Sequence, residues 1–224
     1  MTHTDEAVSA PTRFSERLRA ATWGGHGDAE SVSFMDELMG GRLDVTQYAE
    51  LVVQLWFVYR ELEDPVARLA GDPLAGPFID PALLRRSALE ADLEVLLGEG
   101  WRDGAVPTPE TQAYLERLHE VAAEWPAGYV AHHYTRYLGD LSGGQFIGKF
   151  VRTTYGLTDD RGAAFYRFGE IREPGAWKER YRERLDALPL EADEAERMIA
   201  EVRAAYRHNT AVLAGLGERV LGSR

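Results

Sequence analysis

Apolar residues along this chain recur at steps of three and four, and no segment alternates convincingly with a period of two. Over residues 45–62 the apolar positions Tyr48, Leu51, Val52, Leu55, Trp56, Tyr59 and Leu62 follow helical spacing. Asp44 and Gln47 have the spacing of a capping box at its start, and Asp64-Pro65 breaks its register. The same periodicity predicts a helix over residues 81–97, with Leu84, Ala88, Ala91 and Val95 on one face, and others over 109–124 and 191–216. Pro126 suits the first turn of a further helix, which Gly139, Gly143 and Gly144 then interrupt. The stretches "GDPLAGPFIDP" and "GEGWRDGAVPTP" read as loops. With no internal repeat and no low-complexity tract, the pattern implies an all-α single domain.

Composition narrows the function more than the fold. The chain has 224 residues with 25 Lys+Arg against 37 Asp+Glu, a formal net charge of −12, which argues against broad nucleic-acid binding. It contains no cysteine, which removes disulfides, thiolate metal sites and thiol nucleophiles. The opening "MTHTDEAVSAPTRF" lacks the basic start and apolar run of a signal peptide, and no apolar stretch nears the roughly 20 residues that span a bilayer. The expectation is a cytoplasmic protein with no membrane partner.

Most familiar site patterns fail. His132 and His133 are adjacent, so on a helix they point about 100° apart and do not ligate one ion together. Glu116 and His119 make one half of a di-iron carboxylate motif with no second copy, and as such read as solvated surface. There is no phosphate loop of the Gly-x-x-x-x-Gly-Lys type and no Gly-x-Ser-x-Gly. Without the former, "LSGGQ" at residues 141–145 carries no weight as a transport-ATPase signature.

Two segments remain. "TWGGHGDAES", residues 22–31, sets His26 among three glycines and before two carboxylates. In "YVAHHYTRYLGDLSGGQFIGKF", residues 129–150, Arg136, Asp140, Gly143 and Gly144 recur at helical steps with Gly139 beside them. Glycine in a helix costs about 1 kcal/mol relative to alanine. It fits where another body must approach the backbone: a second helix, or a flat, rigid cofactor.

"AHHYTRYLGDLSGGQ" closely resembles the signature segment of heme oxygenases and departs from it only at His133, a position the signature leaves variable. The resemblance extends from about Phe14 to about Leu216. It implies a multi-helix domain over residues 13–217, between tails at 1–12 and 218–224, with heme b held between a proximal helix and a glycine-kinked distal helix. "LRAATWGGHGDAESVSFM" resembles the proximal helix, so His26 takes the role of axial iron ligand and Glu30, one turn on, that of its hydrogen-bond partner. Trp23 stands where the family often has lysine, and Gly24, Gly25 and Gly27 dilute a segment that is usually better helix.

By the same resemblance, Gly139, Gly143 and Gly144 let the ring lie close to the distal backbone. Asp140 anchors ordered water with Arg136, Tyr59 and Asn209, and that water delivers protons. "WKERYRERLDAL" resembles the helix that meets the heme carboxylates, giving that role to Lys178 and Arg182, with Arg19 and Tyr134 from other helices and Tyr206 as a wall residue. The implied reaction uses O2 and external electrons to open heme, at once substrate and cofactor, to biliverdin, carbon monoxide and ferrous iron. No flavin or iron–sulfur motif is present, so the electrons are expected from a ferredoxin or an NAD(P)H-dependent flavoprotein reductase docking on Lys149, Arg152, Lys178 and Arg182. The competing readings are a heme-storage protein on the same fold and a non-heme helical protein such as a di-iron oxidase or a thiamine-salvage hydrolase.

Overall fold

The computed structural model describes residues 13–21, 33–158 and 161–222. In chain order the helices are α1 (residues 14–21), α2 (Ser33–Met39), α3 (Val45–Glu63), α4 (Val66–Leu69), α5 (Arg86–Leu97) and α6 (Trp101–Gly104). They continue with α7 (Pro109–Glu124), α8 (Pro126–Gly139), α9 (Gln145–Tyr155), α10 (Pro174–Asp186) and α11 (Ala192–Leu221). No strand occurs among the described residues, and none of their helices is long and apolar enough to cross a membrane.

Helix α3 is the central post. The seven apolar positions marked by its periodicity are buried, and so are Val53, Gln54, Phe57 and Val58, which leaves little of its length facing water. It packs on α5, α7 and α11, while α11 also packs on α8, α7 and α2. The Asp44/Gln47 capping box forms: Asp44 accepts from the Gln47 amide at 2.8 Å, and the Gln47 side chain accepts from the Asp44 amide at 2.9 Å. Buried Gln54 is satisfied from both ends by the loop before α7, accepting from the Thr108 amide at 2.9 Å and donating to the Val106 carbonyl at 3.1 Å.

Three sequence expectations change. The helix expected over residues 81–97 is a short 3-10 turn, Pro81–Leu83, and then α5 proper. Leu84 and Val95, assigned to one apolar face with Ala88 and Ala91, are exposed, and the face packed inward carries Leu89, Asp92 and Leu93. Asp92 is the reason: it accepts from the amides of Ala164 and Phe165, both at 2.8 Å, a burial that hydrophobic patterning assigns to the solvent side. Second, the glycines do not stop the helix begun at Pro126. Asp140–Gly144 form a π-helical turn that joins α8 to α9, an insertion that widens the coil while keeping it hydrogen-bonded. Third, α11 runs past residue 217, with Val220 buried and Arg219 pairing with Glu50 at 3.1 Å, so residues 218–221 belong to the fold rather than to a tail.

Candidate active site

The π turn continues α8, which packs against α11, and there it borders a cavity of about 300 Å³. The cavity is lined by Arg136 and Gly139 of α8, by Asp140, Ser142, Gly143 and Gly144 of the π turn, and by Tyr206 and Asn209 of α11. Leu51 and Leu55 of α3, Met35, Thr135, Ile147, Phe165, Tyr166 and Leu213 supply the rest of the wall, mostly apolar. Seven of the residues singled out from the sequence therefore meet around one space: Arg136, Gly139, Asp140, Gly143, Gly144, Tyr206 and Asn209.

Their polar groups form one network. Tyr59, fully buried on α3, donates its hydroxyl to Asp140 Oδ2. Arg136 Nε donates to the Tyr59 oxygen at 3.3 Å, its Nη2 lies 3.7 Å from Asp140 Oδ1, and its Nη1 donates to Asn209 Oδ1. Three elements, α3, the α8–π junction and α11, are thus tied through a single guanidinium. Burial pushes the Asp140 carboxyl above its ordinary range against the pull of Arg136 and of the Tyr59 hydrogen bond. Burial likewise raises Tyr59 well above the usual phenol, so it stays a donor. Burial works against the charge on Arg136, but Tyr59 and Asp140 outweigh it and hold the guanidinium firmly protonated.

The glycines divide by what surrounds them. A Cβ built on Gly139 or Gly143 meets, beyond its own helix, no atom of the described residues within 4 Å, so among them both bare backbones face open space. At Gly148 the same atom would stand 2.6 Å from Tyr166 Cβ, and at Gly144 3.4 Å from Tyr166 Cδ1. Gly148 admits a neighbouring side chain, whereas Gly139 and Gly143 leave a shelf that no other described residue fills. An apolar cleft with a glycine shelf and one buried carboxyl at its edge fits the distal side of a flat macrocycle.

Lys178 of α10 reaches the same rim, its ammonium donating to Ser142 Oγ at 3.1 Å. Burial and the nearby Arg182 lower the Lys178 pKa, a cation pair suited to an anion. Arg182 itself is bonded to Glu179. Tyr134 is buried on α8 beside Tyr181, with ring centroids 6.3 Å apart. Arg19 is exposed on α1, and on α9 Lys149 is exposed and Arg152 half-buried. His26, Glu30, Trp23 and the glycines at 24, 25 and 27 lie outside the described residues.

The remaining described histidines are structural or solvated. Burial lowers His132, so its Nε2–H donates to Glu201 Oε1 at 2.8 Å as a neutral imidazole. Burial pushes Glu201 up, but His132 and Arg117 outweigh it and hold the carboxylate at about 2. His119 is exposed against Glu61, and no group of three His, Asp or Glu among the described residues is arranged to hold a metal ion. The wall residues that sequence reasoning missed, Leu51, Leu55, Phe165 and Tyr166 among them, carry apolar signals no different from those of the core. Only the Gly144/Gly148 spacing hints at the ring of Tyr166 packed over it.

The heme oxygenase family model matches residues 12–215. The chain is 34% identical over 210 residues to a heme oxygenase of Rhodella violacea, covering 94% of this chain and 89% of that protein. It is 37% identical over 195 residues to heme oxygenase 1 of Synechocystis, covering 87% and 81%. The crystal structure of heme oxygenase-1 from that cyanobacterium in complex with heme superposes with a TM-score of 0.88 at 35% identity, over 95% of this chain and 96% of that one.

Proposed function

This chain belongs to the heme oxygenase family, and from that premise we propose how its residues divide the work of opening heme to biliverdin, carbon monoxide and ferrous iron. The reading is carried by one observation, the Asp140–Tyr59–Arg136–Asn209 network, anchored on buried Tyr59 and Arg136, at the edge of a cavity bordered by the bare backbone of Gly139 and Gly143. Heme when bound supplies the iron at which O2 is activated and the ring that is oxidised.

The protein's part is to hold, shape and protonate. His26 would hold the heme iron, and Glu30, four residues on, would be the hydrogen-bond partner that orients its imidazole. Gly139, Gly143 and Gly144 put backbone rather than side chains on this face of the cavity, so a flat macrocycle would meet backbone there. Asp140, kept in place by Tyr59 and Arg136, anchors ordered water with Asn209 and passes protons through it. Tyr206 closes the wall, and Lys178, Arg182, Arg19 and Tyr134 receive the two carboxylates. A storage protein needs the pocket and the axial ligand but has no use for a buried carboxyl wired to a guanidinium at its rim.

Electrons come from a separate protein of the cytoplasm, a ferredoxin or an NAD(P)H-dependent flavoprotein reductase, drawn to Lys149, Arg152, Lys178 and Arg182. Hemin titration followed by reductant in air tests the whole reading. A sharp Soret band that decays as biliverdin appears supports it; a band that persists is storage, and no band refutes heme binding altogether. His26→Ala removes or greatly weakens the band.

A further inference from the structure

Helix α10, which carries Lys178 and Arg182, is fastened to the domain at a few well-defined points. Trp177 Nε1 donates to Asp80 Oδ2 at 3.1 Å. At its other end Asp186 accepts from the Ser15 amide at 2.8 Å and the Ser15 hydroxyl at 3.0 Å, tying α10 to α1. Between them Tyr181, with no exposed surface, meets His133 Nδ1 of α8 at 3.0 Å, the two rings lying within 12° of parallel. His133 is itself buried among Tyr129, Tyr137 and Tyr181, and that burial lowers it to about 3. The imidazole is therefore neutral, and a single hydrogen bond joins its Nδ1 to the Tyr181 hydroxyl.

This one hydrogen bond stands at the centre of the carboxylate-binding residues. Tyr181 lies one turn after Lys178 and next to Arg182, His133 is next to Tyr134, and the Tyr134 and Tyr181 rings lie tilted at 42° with centroids 6.3 Å apart. Heme b carries both carboxylates on one edge, so whatever positions the groups that take them also sets the rotation of the ring in its own plane. That rotation decides which bridging carbon lies against Gly139 and Gly143.

We propose that His133 is a specificity-determining positioning residue: through Tyr181 it sets where α10 presents Lys178 and Arg182, and so the in-plane seating of the macrocycle. The inference rests on the reading of Lys178 and Arg182 as carboxylate-binding groups. A purely packing role for His133 is met by any pair of side chains that fills the space without an unpaired polar atom, whereas a registering role needs the directional bond.

The test compares the ferric hemin complexes of the wild type, H133L/Y181F, His133→Asn and K178A/R182A. Paramagnetic proton NMR of each complex reads the ratio of heme seatings, and chromatography of the product reads the biliverdin isomers. H133L/Y181F removes both polar partners together, so the apoprotein keeps its Tm, while the seating ratio moves about three- to tenfold, the range one neutral hydrogen bond carries. His133→Asn, which keeps a hydrogen-bonding side chain beside Tyr181, holds the ratio near that of the wild type. An unchanged ratio in H133L/Y181F, with K178A/R182A shifted, overturns the role of His133 alone. An unchanged ratio in K178A/R182A overturns the reading of the two cations, and this inference with it.

Discussion

The hydroxyl of Tyr59 donates to Asp140 while accepting from Arg136 at 3.3 Å, so one buried phenol joins the carboxyl to the guanidinium that balances it. That relationship makes Tyr59 a control on the proton affinity of Asp140. The bond lowers a carboxyl that burial raises. Tyr59→Phe deletes the lowering contribution and leaves the burial, so Asp140 titrates higher than in the wild type. The acid limb of biliverdin formation therefore moves to higher pH, by up to about one unit for a bond of this class. A pH profile of turnover, run beside a hemin titration to show unchanged binding, reads the shift.

Replacing the carboxyl itself separates holding from chemistry. Asp140→Ala leaves the axial ligand and the glycine shelf intact, so the hemin complex forms with a Kd within a few-fold of wild type. Biliverdin formation falls by about a hundredfold or more, the contribution usual for positioned proton transfer. Single-turnover spectra of the reduced complex in air measure both.

The glycines offer a contrast between folding and function. Gly143→Ala places a methyl group in open space, so the apoprotein gains up to about 1 kcal/mol from helix propensity while hemin binds less tightly. Gly148→Ala sets its methyl 2.6 Å from Tyr166, and the displaced ring costs about 1–3 kcal/mol. Urea denaturation of the two apoproteins gives opposite signs.

Those predictions draw on what the sequence could and could not carry. The extents of α3 and α7 were legible because strong periodicity coincides with cap residues, Asp44 with Gln47 and Thr108 with Pro109. The face of α5 was not, because Arg85 and Asp92 are buried to bond backbone groups of the 164–168 segment, and a hydropathy rule turns such residues outward. The π turn was visible only as a cluster of glycines; that they widen a helix rather than end it depends on hydrogen bonds no single-residue preference encodes. At the site, Arg136, Asp140 and the glycines share a segment and so a pattern. Tyr59 and Asn209 come from distant helices, and only the family resemblance linked them to it before the structure brought their side chains into contact.

His133 gives a stability signature distinct from any catalytic one. Its ordinary value of 6.5 falls to about 3 in the folded protein through burial. Between those limits the unfolded chain binds a proton that the folded chain refuses, so the stability that His133 provides is complete above pH 6.5 and is lost as pH falls toward 3. The slope is about 1.4 kcal/mol per pH unit for one such group. Urea midpoints collected from neutral to acid pH show this slope in the wild type, and H133L/Y181F shows a shallower one by that amount.

The chain is strongly acidic, with a net charge of −12, so an acidic donor is repelled by the molecule as a whole and can be steered only by a local patch of opposite sign. Lys149 and Arg152 on α9 lie within a short helix that begins where the π turn at the cavity ends, so charge placed there acts near the edge of the site. Reversing both, with Lys149→Glu and Arg152→Glu, lowers kcat/KM with reduced ferredoxin by about tenfold at low salt and flattens its salt dependence. Ascorbate, a small reductant with no need of a docking face, supports turnover at the wild-type rate in the same variant. Equal loss with both reductants assigns the effect to the heme pocket, and unchanged kinetics with ferredoxin removes α9 from the docking face.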